Sequence, residues 1–68
     1  MLNELSEREK EVAVLVAEGL CYKVIARQLD IAENTVRNHV RHIFKKLVIS
    51  DRLHLALLIR ESDLFEGQ

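Results

Sequence analysis

The sequence predicts an all-α fold, a four-helix bundle-like domain containing a helix-turn-helix. Three observations lead there. The chain has no Pro and only two Gly. Its aromatic content is 4% while aliphatic and long charged residues abound, a composition that favours helices over a small barrel or sandwich. Its apolar residues recur at helical spacing, most regularly between residues 33 and 47. At 68 residues the chain makes a single domain, 1–68. A domain this small buries only about 60% of the surface its unfolded chain exposes, which leaves little room for an enclosed active site.

The first helix spans about residues 7–18. Ser6 stands three residues before Glu9, so its hydroxyl can accept from the Glu9 amide while the Glu9 carboxylate reaches back, a capping box. Gly19 is placed to end the helix in the left-handed conformation that a Cβ penalises. A short second helix covers about 22–29, with Ile25, Ala26 and Leu29 on one stripe, and Asp30-Ile31-Ala32 reads as a turn.

The third helix, about 33–47, places Val36, Val40, Ile43 and Leu47 within roughly 60° of one another at 100° per residue, a narrow buried stripe. Asn34, Asn38, Arg41 and Lys45 cluster on the opposite side, flanked by Arg37 and His42. The fourth helix, about 51–61, has Ser50 as its expected N-cap. Its apolar residues go nearly all the way round. Leu53 and Leu57 are expected to close the core, which leaves Leu55, Leu58 and Ile59 as a second apolar direction and a candidate dimer interface.

The formal net charge of −1 speaks against a nucleic-acid partner until it is divided along the chain. Residues 1–19 hold five acids, Glu4, Glu7, Glu9, Glu11 and Glu18, against Arg8 and Lys10, for −3. Residues 20–52 hold Lys23, Arg27, Arg37, Arg41, Lys45, Lys46 and Arg52 against Asp30, Glu33 and Asp51, for +4, and the remainder carries −2. Because the Debye length is about 8 Å in physiological salt, a partner meets the local patch rather than the total.

A short helix, a tight turn and a longer helix with cations opposite its core stripe is the arrangement of a helix-turn-helix. The major groove, about 12 Å wide, admits one α-helix, where Arg can bind guanine and Asn can bind adenine bidentately. Arg37, Asn38 and Arg41 offer those groups near the helix start. Lys45 and Lys46, nearer its end, suit backbone phosphate. The other reading of the same pattern is a helical protein-interaction module that uses the apolar fourth helix and leaves the third merely solvated.

The runs Leu5-Ser6-Glu7-Arg8-Glu9-Lys10-Glu11-Val12, Ala17-Glu18-Gly19-Leu20, Ile25-Ala26-Arg27-Gln28-Leu29, Glu33-Asn34-Thr35-Val36-Arg37-Asn38-His39-Val40 and Phe44-Lys45-Lys46-Leu47 resemble the LuxR-type (NarL/FixJ, GerE-like) DNA-binding domain of bacterial transcription regulators. The resemblance extends from Leu5 to about Ile59. It implies sequence-specific binding of double-stranded DNA, with the third helix in the major groove and the fourth pairing two copies on a roughly palindromic site. On the matching positions Arg37, Asn38 and Arg41 become base-reading residues, and Lys23, Thr35, Lys45, Lys46 and Arg52 phosphate contacts. Glu9 matches an acid that is structural in the family. A receiver or ligand-sensing domain usually precedes this one in the family; none is present here, so the chain is expected to be a partial form rather than a free-standing regulator.

Six departures from the family pattern bear on stability. Cys21 and Val24 replace both halves of a capping box at the second helix, and Ala32 replaces a Ser or Thr cap before the third, a loss of about 1 kcal/mol. Val48 replaces a Gly, and a left-handed Val costs roughly 1–2 kcal/mol, so the loop there is expected to deviate from the family's course. Ala13 stands for a bulky residue in the first helix and Leu55 for an Ala in the fourth. The expected result is a weakly stable free monomer.

Other chemistries find no support in the sequence. His39 and His42 at i, i+3 with Cys21 lack a placed fourth ligand, so no metal is expected. No Gly-rich phosphate loop or nucleophile motif points to an enzyme, and no cofactor is expected. One Cys forms no internal disulfide, and the longest apolar run, Val12 to Ala17, is far short of the ~20 residues that span a bilayer. A bacterial cytoplasmic location is therefore expected.

Overall fold

The computed structural model describes residues 2–62; Met1 and residues 63–68, at the two ends of the expected domain, lie outside the described residues. A short 3-10 turn at Leu2–Glu4, absent from the sequence reading, precedes four helices: α1 (Glu7–Ala17), α2 (Tyr22–Leu29), α3 (Glu33–Leu47) and α4 (Arg52–Arg60). α1 packs against each of the other three, while α2 and α3 pack on one another. The core is built from Leu5, Val12, Ala13, Val16, Ile25, Ala26, Val36, Val40, Ile43, Leu47, Leu55 and Ile59.

α1 starts as its capping box requires. The Glu9 amide donates to Ser6 Oγ at 3.1 Å and the Ser6 amide donates to Glu9 Oε1 at 3.0 Å. The helix stops at Ala17, with Glu18 as its C-cap, and Gly19 takes φ 92°, so the chain reverses on the residue that tolerates it. α2 has Cys21 at its N-cap with no side-chain bond, as the missing capping box implies. It ends on Asp30 at φ 58°, ψ 48°, and the Ile31 amide donates back to the Ala26 carbonyl at 3.0 Å, which closes the turn.

α3 begins at an Ala32 cap that makes no side-chain bond, and its four-residue apolar stripe is buried along its length. Its exit differs from expectation. Val48 does not move the chain away from the left-handed conformation but adopts it, at φ 55°, ψ 50°, and the Ile49 amide donates to the Phe44 carbonyl at 3.0 Å. The Val48 side chain is 86% exposed, so no packing compensates the backbone strain of roughly 1–2 kcal/mol.

α4 requires two corrections. Its N-cap is Asp51 and not Ser50: the helix begins at Arg52, and Asp51 Oδ1 accepts from the His54 amide at 2.8 Å. Both residues are good caps, and the one adjoining the first helical residue takes the role. The second correction concerns its phase. Leu55 and Ile59 are fully buried and form the stripe that meets α1, whereas Leu53 and Leu57 are 70% and 49% exposed. Leu53/Leu57 and Leu55/Ile59 are both i, i+4 pairs about 200° apart on the helix, so the sequence offers the same stripe twice. Ala13 of α1 and Leu55 of α4 are both completely buried in the one core.

Candidate nucleic-acid interface

α2, the turn 30–32 and α3 form the helix-turn-helix. Ile25 and Ala26 of α2, with Val36 and Val40 of α3, belong to the core and fix the two helices against each other. With that side buried, α3 turns Asn34, Arg37, Asn38, Arg41, His42 and Lys45 to solvent. The three expected base-reading residues, Arg37, Asn38 and Arg41, therefore share one exposed face with Lys45. Lys23 on α2 is exposed as well, and Thr35 is half-buried in the first turn of α3.

Arg37 is the most constrained of these side chains. Its Cζ lies 5.6 Å from the centroid of the Tyr22 ring, and its Nη2 lies 3.8 Å from Glu33 Oε2 one turn earlier. The Glu33 pairing was readable as an i, i+4 spacing. The Tyr22 contact was not, since no local rule links the first residue of α2 to the second turn of α3.

Lys46 has a partner within the fold. Its ammonium donates to Glu9 Oε1 at 2.8 Å, joining the end of α3 to the start of α1. Glu9 is a buried carboxylate held below its ordinary pKa, chiefly by this bond and then by the Ser6 amide, with burial acting in the opposite direction. Lys46 is thus engaged in the fold through one of its three donors, while its side chain stays 42% exposed. Arg52 is also engaged: its Nη2 donates to the Leu20 carbonyl at 3.2 Å and ties the start of α4 to the segment leading into α2. The expected dimer residues divide similarly. Leu55 and Ile59 lie in the chain's own core and are unavailable to a partner, Leu58 is half-buried, and the exposed apolar surface of α4 comes from Leu53 and Leu57.

Two of the three acids of α1 stay local. Glu7 and Glu11 pair with Lys10 and Arg8 at 3.7 and 3.3 Å. Six of the seven cations of residues 20–52 lie on α2 and α3, and the seventh, Arg52, opens α4. Among the described residues no group of three or more His, Cys, Asp or Glu could hold a metal ion, and no helix is long and apolar enough to cross a membrane.

Comparison with known proteins agrees with this geometry. The family model described as bacterial regulatory proteins, luxR family, matches residues 3–59. The chain is similar to the nitrate/nitrite response regulator protein NarL of Escherichia coli (strain K12), 41% identical over 64 residues, covering 94% of this chain and 30% of that protein. It is equally similar to the transcriptional regulatory protein DesR of Bacillus subtilis (strain 168), at 41% over 64 residues, 94% of this chain and 32% of that protein. The transcriptional regulatory protein LnrK of the same strain is 46% identical over 56 residues, 82% of this chain and 26% of that protein. The chain thus spans about a third or less of the length of these curated relatives.

Proposed function

Since the chain belongs to the luxR family of bacterial regulatory proteins, we propose that it is a module binding specific double-stranded DNA sequences for transcription regulation, with α3 in the major groove. Its relatives are regulators and not enzymes. The observation that carries the reading is the separation of α3 into a fully apolar buried stripe and an exposed face bearing Arg37, Asn38, Arg41 and Lys45. Arg37, Asn38 and Arg41 meet base edges, where Arg suits guanine and Asn suits adenine. Lys23, Thr35 and Lys45 meet phosphates on either side, and Lys46 and Arg52 add to them where their bonds to Glu9 and Leu20 allow.

Two copies pair through α4 on a roughly palindromic site, using Leu53 and Leu57 with the edge of Leu58. Two-fold pairing places two recognition helices about one DNA turn apart. In the whole protein, of which this chain matches the DNA-binding part, a receiver or ligand-sensing domain controls the module, as the response-regulator names of its relatives suggest. The setting is the bacterial cytoplasm. The exposed Leu53 and Leu57 also suit a protein-interaction module without DNA binding. Titration of a duplex library against salt separates the two readings. Affinity falling steeply from about 50 to 200 mM salt, with a slope reflecting several phosphates per subunit, is the expected result. Absence of duplex binding at the lower salt would leave only the interaction module.

A further inference from the structure

Tyr22 opens α2 with its side chain half-buried and packed against the core, so its ring is fixed relative to α3. The guanidinium carbon of Arg37 lies over that ring, 5.6 Å from its centroid, within the roughly 6 Å over which an aromatic face attracts such a cation. Glu33 holds the same guanidinium from another direction, 3.8 Å from Nη2. An exposed Arg otherwise samples many rotamers, yet bidentate recognition requires its planar fork in one orientation. The attraction is to the negative face of the ring and needs no hydrogen-bond acceptor, so the guanidinium donors remain for a base. The Glu33 carboxylate, 3.8 Å away with both side chains half exposed, makes only a loose ion pair that a base can displace.

We infer that Tyr22 is a positioning residue for DNA specificity, acting through Arg37: the core-anchored ring pre-sets the guanidinium so that its donor edge faces a guanine in the groove. This rests on the reading of α3 as the groove helix. It extends the specificity apparatus to the first residue of α2, which makes no base contact itself. The ring contact persists on DNA because it uses no hydrogen-bond acceptor that a base would have to replace, whereas the Glu33 pair is exchanged for the base.

Two measurements test it. In the DNA-free protein, nuclear magnetic resonance should find the Arg37 side-chain protons shifted upfield by the ring in wild type and in Tyr22→Phe, and unshifted in Tyr22→Leu. Equal shifts in wild type and Tyr22→Leu overturn the inference. In selected-site binding, Arg37→Ala identifies the base pair whose preference depends on that residue. Tyr22→Leu should reduce preference at the same pair by about two- to fivefold, Tyr22→Phe should restore it, and Tyr22→Leu should add nothing in the Arg37→Ala background. Tyr22→Met serves as the ringless variant if Tyr22→Leu does not fold. A loss of affinity uniform over all sequences, or additive with Arg37→Ala, overturns the positioning role. If the ring shift is present but Arg37→Ala alters no preference, the base-reading assignment of Arg37 fails and the inference falls with it, a result distinct from failure of the ring contact.

Discussion

The Lys46 ammonium donates a 2.8 Å hydrogen bond to Oε1 of Glu9, the same oxygen that accepts the Ser6 amide. One buried carboxylate therefore fixes the first turn of α1 and the last turn of α3 together. Lys46→Met, which keeps the aliphatic stem, should destabilise the domain by about 1–3 kcal/mol at neutral pH by leaving the carboxylate short of a charged partner. Because the folded-state pKa of Glu9 lies below the ordinary value of 4.5, its stabilisation is present above that value and lost as pH falls through the folded pKa. The difference between wild type and Lys46→Met, measured by urea denaturation at a series of pH values, should accordingly shrink below pH 4.5. A difference independent of pH would show that the pair is not ionic.

Two backbone sites leave stability to be recovered. Val48→Gly relieves the left-handed strain without losing buried surface and should stabilise by about 0.5–1 kcal/mol after the entropic cost of Gly. Ala32→Ser supplies the missing cap of α3 and should add about 1 kcal/mol. In a domain of this size each kcal/mol raises Tm by about 4–8 °C, readable by circular dichroism. The wild-type monomer should melt within or below the 45–65 °C range of mesophile domains; a cooperative melt above about 70 °C at micromolar concentration contradicts the weak-monomer reading.

On α3, Arg41→Ala should change which bases are preferred, whereas Lys45→Ala should weaken binding nearly uniformly and lower the salt slope by about one. Competition binding on a panel of duplexes reads both effects. If Arg41→Ala only lowered affinity evenly, Arg41 would be a phosphate contact.

The phase of α4 separates fold from pairing. Leu55→Ala removes a fully buried side chain and should cost about 2–5 kcal/mol of stability. Leu53→Glu and Leu57→Glu should leave the denaturation midpoint within about 0.5 kcal/mol and abolish dimer formation on a two-half-site duplex, measured by sedimentation. Dimerisation that survived both glutamates would place the pairing surface elsewhere.

These contrasts show which features the sequence reveals. α1 and α3 were readable because each carries a local signal: a capping box three residues apart, and a stripe broken by polar residues that sets the helix phase. α4 was not, because leucines on every side hide the phase until α1 is packed against it, and because Ser50 and Asp51 are equivalent caps until the first helical residue is known. The exposed face bearing Arg37, Asn38 and Arg41 followed from the stripe opposite. The Lys46–Glu9 bond and the Tyr22–Arg37 contact are not legible in the sequence, because the partners lie 37 residues apart in the first case and on different helices in the second.

The central place of α1 has a consequence for how such a domain diversifies. The recognition pair α2–α3 and α4 each pack on α1, so the helices that carry the reading surface and the helix that carries the exposed leucines share a support that belongs to neither surface. Substitutions in the two surfaces should combine additively, as they do for sites that share no neighbours. A change of target sequence can therefore arise without retuning subunit pairing, and a change of pairing without rewriting the target.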